Sequence, residues 1–312
     1  MAGKRIGYFY VGAIVPAMKV LLAEYATACD PALAPEGAAM LDILHKSFTR
    51  CGYEVVIPGT GDFYDEILQL APDCDMGLVI APDSLLAKFT LPIEQYSHNL
   101  GCGSMNAALC ANKVTTEKLL KCHGIPVPAD APGGRHVVKP VTGCDSQGVR
   151  LTTDAPGGDE FAQEYIEGEN YSVSLVMSRV VGEACLYFSG NPPLVLAINR
   201  QFVTPGNDGA FTYSGGETPV HPARGQEIID TAVKAATVLG CQGYCGIDVV
   251  VADKVYVVDV NPRITTSLVG IAACMEEEIA TLLVEASHGS APKEVHLTGK
   301  VRFDTHGKVS PE

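Results

Sequence analysis

Along the first hundred residues, short β-type runs alternate with segments of helical period. Ile6-Gly-Tyr-Phe-Tyr-Val11 reads as a strand, and Pro35 to Arg50 sets Met40, Leu41, Leu44 and Phe48 at helical spacing. Tyr53 to Ile57 and Met76 to Ile80 are further strand-like runs, stopped by Pro58-Gly59 and Ala81-Pro82. Strands separated by helices of this length predict a parallel sheet with helices on its faces. Gly101-Cys-Gly103 lacks both a third glycine and a preceding strand, so it reads as a turn rather than a dinucleotide-binding fingerprint.

From about Asn106 the pattern changes. Ala107 to Cys122 has helical period and ends at Gly124, after which Ile125-Pro-Val-Pro128 prevents continuation. His136 to Lys139 is a strand, residues 140–148 a glycine-containing loop, and Val149 to Thr152 a returning strand. Phe161 to Ile166, Tyr171 to Met177, Ala184 to Phe188 and Leu194 to Phe202 follow with an antiparallel character. Phe211 to Pro219 reads as a loop long enough to shape a substrate pocket. A helix at Gly225 to Leu239, a hairpin at Gly246 to Val260 and a helix near Met275 to Ala286 complete the chain. The expected organisation is an α/β domain over residues 1–105 and an α+β domain over 106–312, with a flexible lid around 125–170.

Composition narrows the function classes. The 312 residues suit about two domains. Lys plus Arg number 22 against 36 Asp plus Glu, a net charge of −14, which argues against nucleic acid as a partner. Any phosphate must be gripped locally. Apolar stretches fall short of the ~20 residues that span a bilayer, and the N-terminus lacks the pattern of a cleaved signal, so a cytoplasmic protein with no membrane partner is expected. The 11 cysteines include no C-x-x-C pair and fall in apolar segments, as core thiols do. Cys241 and Cys245 have no second pair or histidine beside them in the sequence.

The stretch Cys245-Gly-Ile-Asp-Val-Val-Val-Ala-Asp-Lys-Val-Tyr-Val-Val-Asp-Val-Asn-Pro-Arg263 is the most informative. With Asp253-Lys254 as a two-residue hairpin loop, Asp248 falls opposite Asp259, and the strand period brings Asn261 to the same face. Two facing carboxylates among valines call for a cation, and hard oxygen ligands with open positions suit Mg²⁺ shared with phosphates. Arg263 follows close enough to meet an anion there. Lys139 ends a strand just before the glycine loop, where its ammonium can meet a phosphate while N–H groups between Gly143 and Gly148, Ser146 among them, wrap the rest. No G-x-x-x-x-G-K-[ST] occurs, so this is not a Walker loop.

Taken in order, Asn112-Lys113 with Gly-Ile-Pro-Val-Pro (124–128), Val-Val-Lys-Pro (137–140), Gln-Glu-Tyr-Ile-Glu-Gly-Glu-Asn-Tyr-Ser-Val (163–173), Gly-Ile-Asp (246–248) and Asp-Val-Asn-Pro-Arg (259–263) resemble the ATP-grasp superfamily. The resemblance covers roughly residues 100–290 and implies an ATP-grasp fold behind an N-terminal parallel α/β domain. It further implies ATP and Mg²⁺ or Mn²⁺ as cofactors. Lys113 and Lys139 would hold phosphates, the backbone around Glu164, Tyr165 and Ile166 would read adenine, and Glu169 would bind the ribose. Asp248, Asp259 and Asn261 would be metal ligands, with Asp259 standing where the family often has Glu. Arg200 and Arg263 are candidates to neutralise an acyl-phosphate.

Within the superfamily, Glu24-Tyr-Ala-Thr-Ala, Leu33 to Leu41 and Asn-Pro-Arg-Ile-Thr-Thr (261–266) are similar to the archaeal family that joins tyramine to L-glutamate in methanofuran biosynthesis. That likeness implies an ADP-forming condensation through a glutamyl phosphate, with small molecules as partners. A ligase for another acid and amine, such as an amino-acid or peptide ligase, a kinase-like phosphotransferase and a non-catalytic nucleotide-binding module remain alternatives, and homo-oligomerisation is left open.

Overall fold

The computed structural model describes residues 17–131, 133–143, 148–178, 181–183, 186–188 and 192–312. The run Ile6 to Val11, Ser146, and residues 184 and 185 of the expected strand Ala184 to Phe188 lie outside these.

The N-terminal sheet is parallel throughout, in the order β2 (Glu54–Val56), β1 (Lys19–Glu24), β3 (Met76–Ile80) and β4 (His98–Asn99). Helices α1 (Tyr25–Cys29), α2 (Ala34–Arg50), α3 (Phe63–Leu70) and α4 (Asp83–Tyr96) flank it. Its central strand β1 is the Lys-Val-Leu-Leu-Ala-Glu run, four of whose residues are apolar and buried. This apolar run had not been singled out as a strand.

The expected helix Ala107 to Cys122 is two helices, α5 (Ser104–Ala111) and α6 (Lys113–Cys122). Asn112 breaks the ladder: its backbone is extended and its side chain accepts the Thr115 N–H at 2.9 Å, capping α6. A small antiparallel cap sheet follows, with β5 (His136–Pro140) between β6 (Arg150–Thr152) and β7 (Glu160–Glu164).

The platform is a seven-stranded sheet in the order β14 (Val255–Asn261), β13 (Gly243–Val251), β8 (Glu169–Met177), β11 (Leu194–Pro205), β12 (Phe211–Thr218), β15 (Val301–Phe303) and β16 (Val309–Pro311). A ribbon of β9 (Val181–Glu183) and β10 (Leu186–Phe188) stands apart from it. The segment Phe211 to Pro219, expected as a loop, is thus mostly strand. Its Gly215 has φ +103°, and a side chain there would run into the carbonyl of Phe303 on β15. Helix α7 (Gly225–Val238) packs Ile228, Ala232 and Ala236 on the face made by Val173, Ile247 and Val257.

The helix expected near Met275 to Ala286 is α9 (Ile279–Ser287), and a further helix, α8 (Ser267–Cys274), precedes it. Their Leu268, Ile279, Leu282 and Leu283 share one core with Val20, Leu22, Leu44 and Phe48, so the N-terminal sheet and the C-terminal helices are covered by each other. A second cluster, missed in the sequence, brings the thiols of Cys102, Cys110 and Cys245 onto buried Cys241. Among the described residues no group of three or more His, Cys, Asp or Glu side chains is arranged to hold a metal ion. No described helix is long and apolar enough to cross a membrane.

Candidate active site

A cavity of about 520 Å³ lies between the cap sheet and the platform. Val137, Lys139, Gln163, Tyr165 and Ile166 line it from the cap side, Asp248, Val250, Val258, Asp259 and Asn261 from the platform, and Leu33, Pro35 and Glu36 from the connection into α2. Arg263, Thr266 and His306 also reach it.

The carboxylate pair is opposed as expected, Asp248 against Asp259, but the turn differs. Val251 pairs with Val255, which leaves three residues in the loop, and a bulge between the Val249–Val257 and Asp248–Asp259 pairs restores the register. The extra residue is Val258, and its carbonyl accepts the Lys139 ammonium at 2.9 Å. Both anions and both lysines therefore meet at one distorted turn of the ladder.

Helix α6 delivers the second lysine. Its first N–H, that of Lys113, donates to Val141 O at 2.9 Å, and the side chain donates to Asp259 Oδ1 at 2.5 Å with only 10% of it exposed. Asp259 also accepts its neighbour's Val260 N–H, so its carboxyl, although burial alone would raise it, is held below the ordinary range by Lys113 and Lys139. Asp248 is treated oppositely. Burial, then the charge of Asp259, pushes it up to about 7, and its partners are the side-chain amides of Gln201 (3.1 Å) and Asn261 (3.2 Å). Burial lowers the Lys139 ammonium below its ordinary value.

At the cap-side end, Tyr165 and Phe211 rings lie 6.3 Å apart, and the Glu164 N–H is committed to Ala129 O at 2.8 Å. Gln163 is buried; its amide donates to Glu117, while its carbonyl oxygen has no hydrogen-bond partner among the described residues. Burial pushes Glu117 up to about 7. The cap is tied to the platform by Leu151 N–H to Gly209 O (2.8 Å) and Phe211 N–H to Val149 O (3.2 Å). Gly209, at φ +82°, is so close to Leu151 that no side chain fits.

At the opposite end Arg263 Nε donates to Asp83 Oδ1 at 2.8 Å, and Thr266 hydrogen-bonds to Glu36.

Of the expected residues, Lys113, Lys139, Gly143, Glu164, Tyr165, Ile166, Asp248, Asp259, Asn261 and Arg263 line the one cavity. Gly148 is left-handed at φ +75° and does not line the cavity, although its neighbour Val149 does. Glu169 and Arg200 do not line it. They pair with each other at 3.0 Å, and Glu169 also accepts the Tyr171 hydroxyl. The strand period explains this: Asn170 and Ser172 face the cavity, so Glu169 and Tyr171 face away, as does Arg200, which is in register with Tyr171. Gln201, one position on, reaches Asp248 instead. Gln163, Glu117, Asp83, Glu36 and Gln201 were not singled out from sequence. Only the alternation along β11 carried a signal, and it pointed to Gln201 once the strand was placed.

Lysines and carboxylates are thus gathered in one cleft between a cap sheet and an antiparallel platform. The profile of the ATP-grasp domain matches residues 110–267. The tyramine–L-glutamate ligase of Methanocaldococcus jannaschii is 28% identical over 304 residues, covering 88% of this chain and 91% of its own. That of Methanocaldococcus fervens is 31% identical over 215 residues, covering 68% and 65%. The crystal structure of an ATP-grasp superfamily protein from Archaeoglobus fulgidus superposes with a TM-score of 0.75 at 27% identity, covering 92% of each chain. The chain belongs to the ATP-grasp family.

Proposed function

We propose that this chain is an ADP-forming carbon–nitrogen ligase that joins the γ-carboxylate of L-glutamate to the amine of tyramine. The observation that carries the reading is the meeting of Lys113, Lys139, Asp248, Asp259 and Arg263 in one cavity. The curated relatives from the two Methanocaldococcus species support the choice of acid and amine.

The residues fit a divalent ion. Asp248 is a carboxylate raised by burial and by the charge of Asp259, an effect the Lys113 charge offsets only in part, and the side chains it hydrogen-bonds to, Gln201 and Asn261, are neutral amides, so a cation beside it would be favoured. Asp248, Asp259 and Asn261 would hold Mg²⁺ or Mn²⁺, which supplies charge neutralisation of the phosphates when bound. Lys113 and Lys139 hold oxygens of the transferring phosphoryl group, and Val137, Tyr165 and Ile166 enclose the base. The unpartnered Gln163 oxygen is suited to accept from an exocyclic amine. Arg263 presents a planar donor fork to the carboxylate, whose oxygen attacks the γ-phosphorus as ADP leaves. The amine nitrogen then attacks the acyl carbon, a C–N bond forms, and phosphate departs.

The test is incubation with ATP, Mg²⁺, L-glutamate and tyramine, read by mass spectrometry. γ-Glutamyltyramine with ADP and phosphate is expected, and hydroxylamine in place of the amine should yield glutamyl hydroxamate. An amide from another acid, with none from glutamate, overturns the substrate assignment; a stable phosphoester or AMP overturns the ligase mechanism.

A further inference from the structure

Arg263 is placed in the cavity by a residue from the other sheet. Asp83 starts α4 just after the end of β3, in the crevice where a parallel sheet offers its strand ends, and is 2% exposed. Its Oδ1 accepts Arg263 Nε at 2.8 Å, and the arginine side chain is itself only 10% exposed. With the inner nitrogen taken by Asp83, the terminal nitrogens lie toward Ile264 O (3.3 Å) and Asn261 Oδ1 (3.5 Å), long contacts compared with the first. One edge of the guanidinium is therefore fixed by Asp83, and the other reaches the carboxylate hairpin. A buried ion pair is a poor source of stability compared with packed apolar residues, so an arrangement that hides both charges is better explained by orientation.

We propose that Asp83 is a positioning residue that aims the terminal nitrogens of Arg263 at the reacting carboxylate and phosphoryl group. The inference rests on the role given to Arg263 above. It makes the N-terminal sheet part of the catalytic apparatus, although Asp83 itself touches no substrate. Because reacting groups tolerate little misplacement, a shift of the guanidinium should slow the chemical step and leave nucleotide binding alone.

Steady-state kinetics of Asp83→Asn, Arg263→Lys and the double variant test this. Asp83→Asn is expected to lower kcat by about tenfold or more with KM for ATP within about twofold of the parent. The double variant should be no slower than Arg263→Lys alone, because both changes act through one guanidinium. Losses that multiply, or an unchanged kcat in folded Asp83→Asn while Arg263→Lys is slow, would overturn the proposal and leave the role of Arg263 standing. Parental rates in both Arg263→Lys and Arg263→Ala would remove that role and the proposal with it. If Asp83→Asn does not fold, Asp83→Glu keeps the charge but moves the carboxylate by a methylene. Lowered kcat with unchanged nucleotide affinity supports the proposal there too, and parental kcat overturns it.

Discussion

At the scale of single residues, the two carboxylates of the hairpin are chemically unequal, and replacing them should separate activity from stability. Asp248→Asn and Asp259→Asn are each expected to lower turnover at least about a hundredfold, since each removes charge from the ion-binding set. Their stabilities should diverge. Asp259→Asn strands the buried Lys113 ammonium and should cost roughly 3 kcal/mol, at the low end for breaking a buried pair, whereas Asp248→Asn relieves repulsion. Asp248 has a folded value near 7 against an ordinary 3.8, so its favourable contribution is complete below pH 4 and is lost as pH rises through 7. Glu117, also raised to about 7 by burial, adds a fall of the same sign. Thermal unfolding of the nucleotide-free protein should therefore show stability declining from pH 4 toward 7, and Asp248→Asn should flatten that decline; an identical slope in the variant would contradict the assignment. Asp259, held low, contributes in the opposite sense and loses its contribution on acidification.

At the scale of elements, the site depends on two local irregularities. The break at Asn112 starts a new helix with Lys113 at its first position. Asn112→Ala should destabilise the protein by about 1 kcal/mol through the lost cap, and should also weaken ATP binding as Lys113 drifts, measurable by calorimetry. The bulge at Val258 is the other irregularity, adding a residue that supplies the carbonyl for Lys139. Neither was legible in the sequence. Asn112 sits inside an unbroken apolar period from Ala107 to Cys122, and its extended backbone and the side-chain bond that caps the second helix leave no mark on that period. The opposition of Asp248 and Asp259 was legible, yet through a two-residue turn that does not form; turn and bulge errors cancelled. Met76 to Ile80 was readable to the residue because it is apolar on both faces and closed by proline. Helix α8 was missed because Ser-Leu-Val-Gly-Ile-Ala-Ala-Cys is buried nearly all round and shows no polar face. Glu169 was placed by motif order and Arg200 by its position after the apolar run Leu194 to Ile198, and strand alternation points both away from the cavity.

At the scale of the whole molecule, the expected division between residues 105 and 106 cuts a shared core. Leu268, Ile279, Leu282 and Leu283 pack with Val20, Leu22, Leu44 and Phe48. A fragment of residues 106–312 expressed alone should therefore lack a cooperative thermal transition and bind dyes that report exposed apolar surface; a sharp transition like that of the full chain would show the division to be real. Arg50, which pairs with Glu278 at 2.7 Å, and the Arg263–Asp83 pair cross the same boundary. For anyone building chimeras among relatives to exchange acceptor specificity, the interchangeable piece is accordingly discontinuous. The first sheet has to travel with α8 and α9, and a crossover made at the obvious linker would join two halves that each keep the wrong half of a lining.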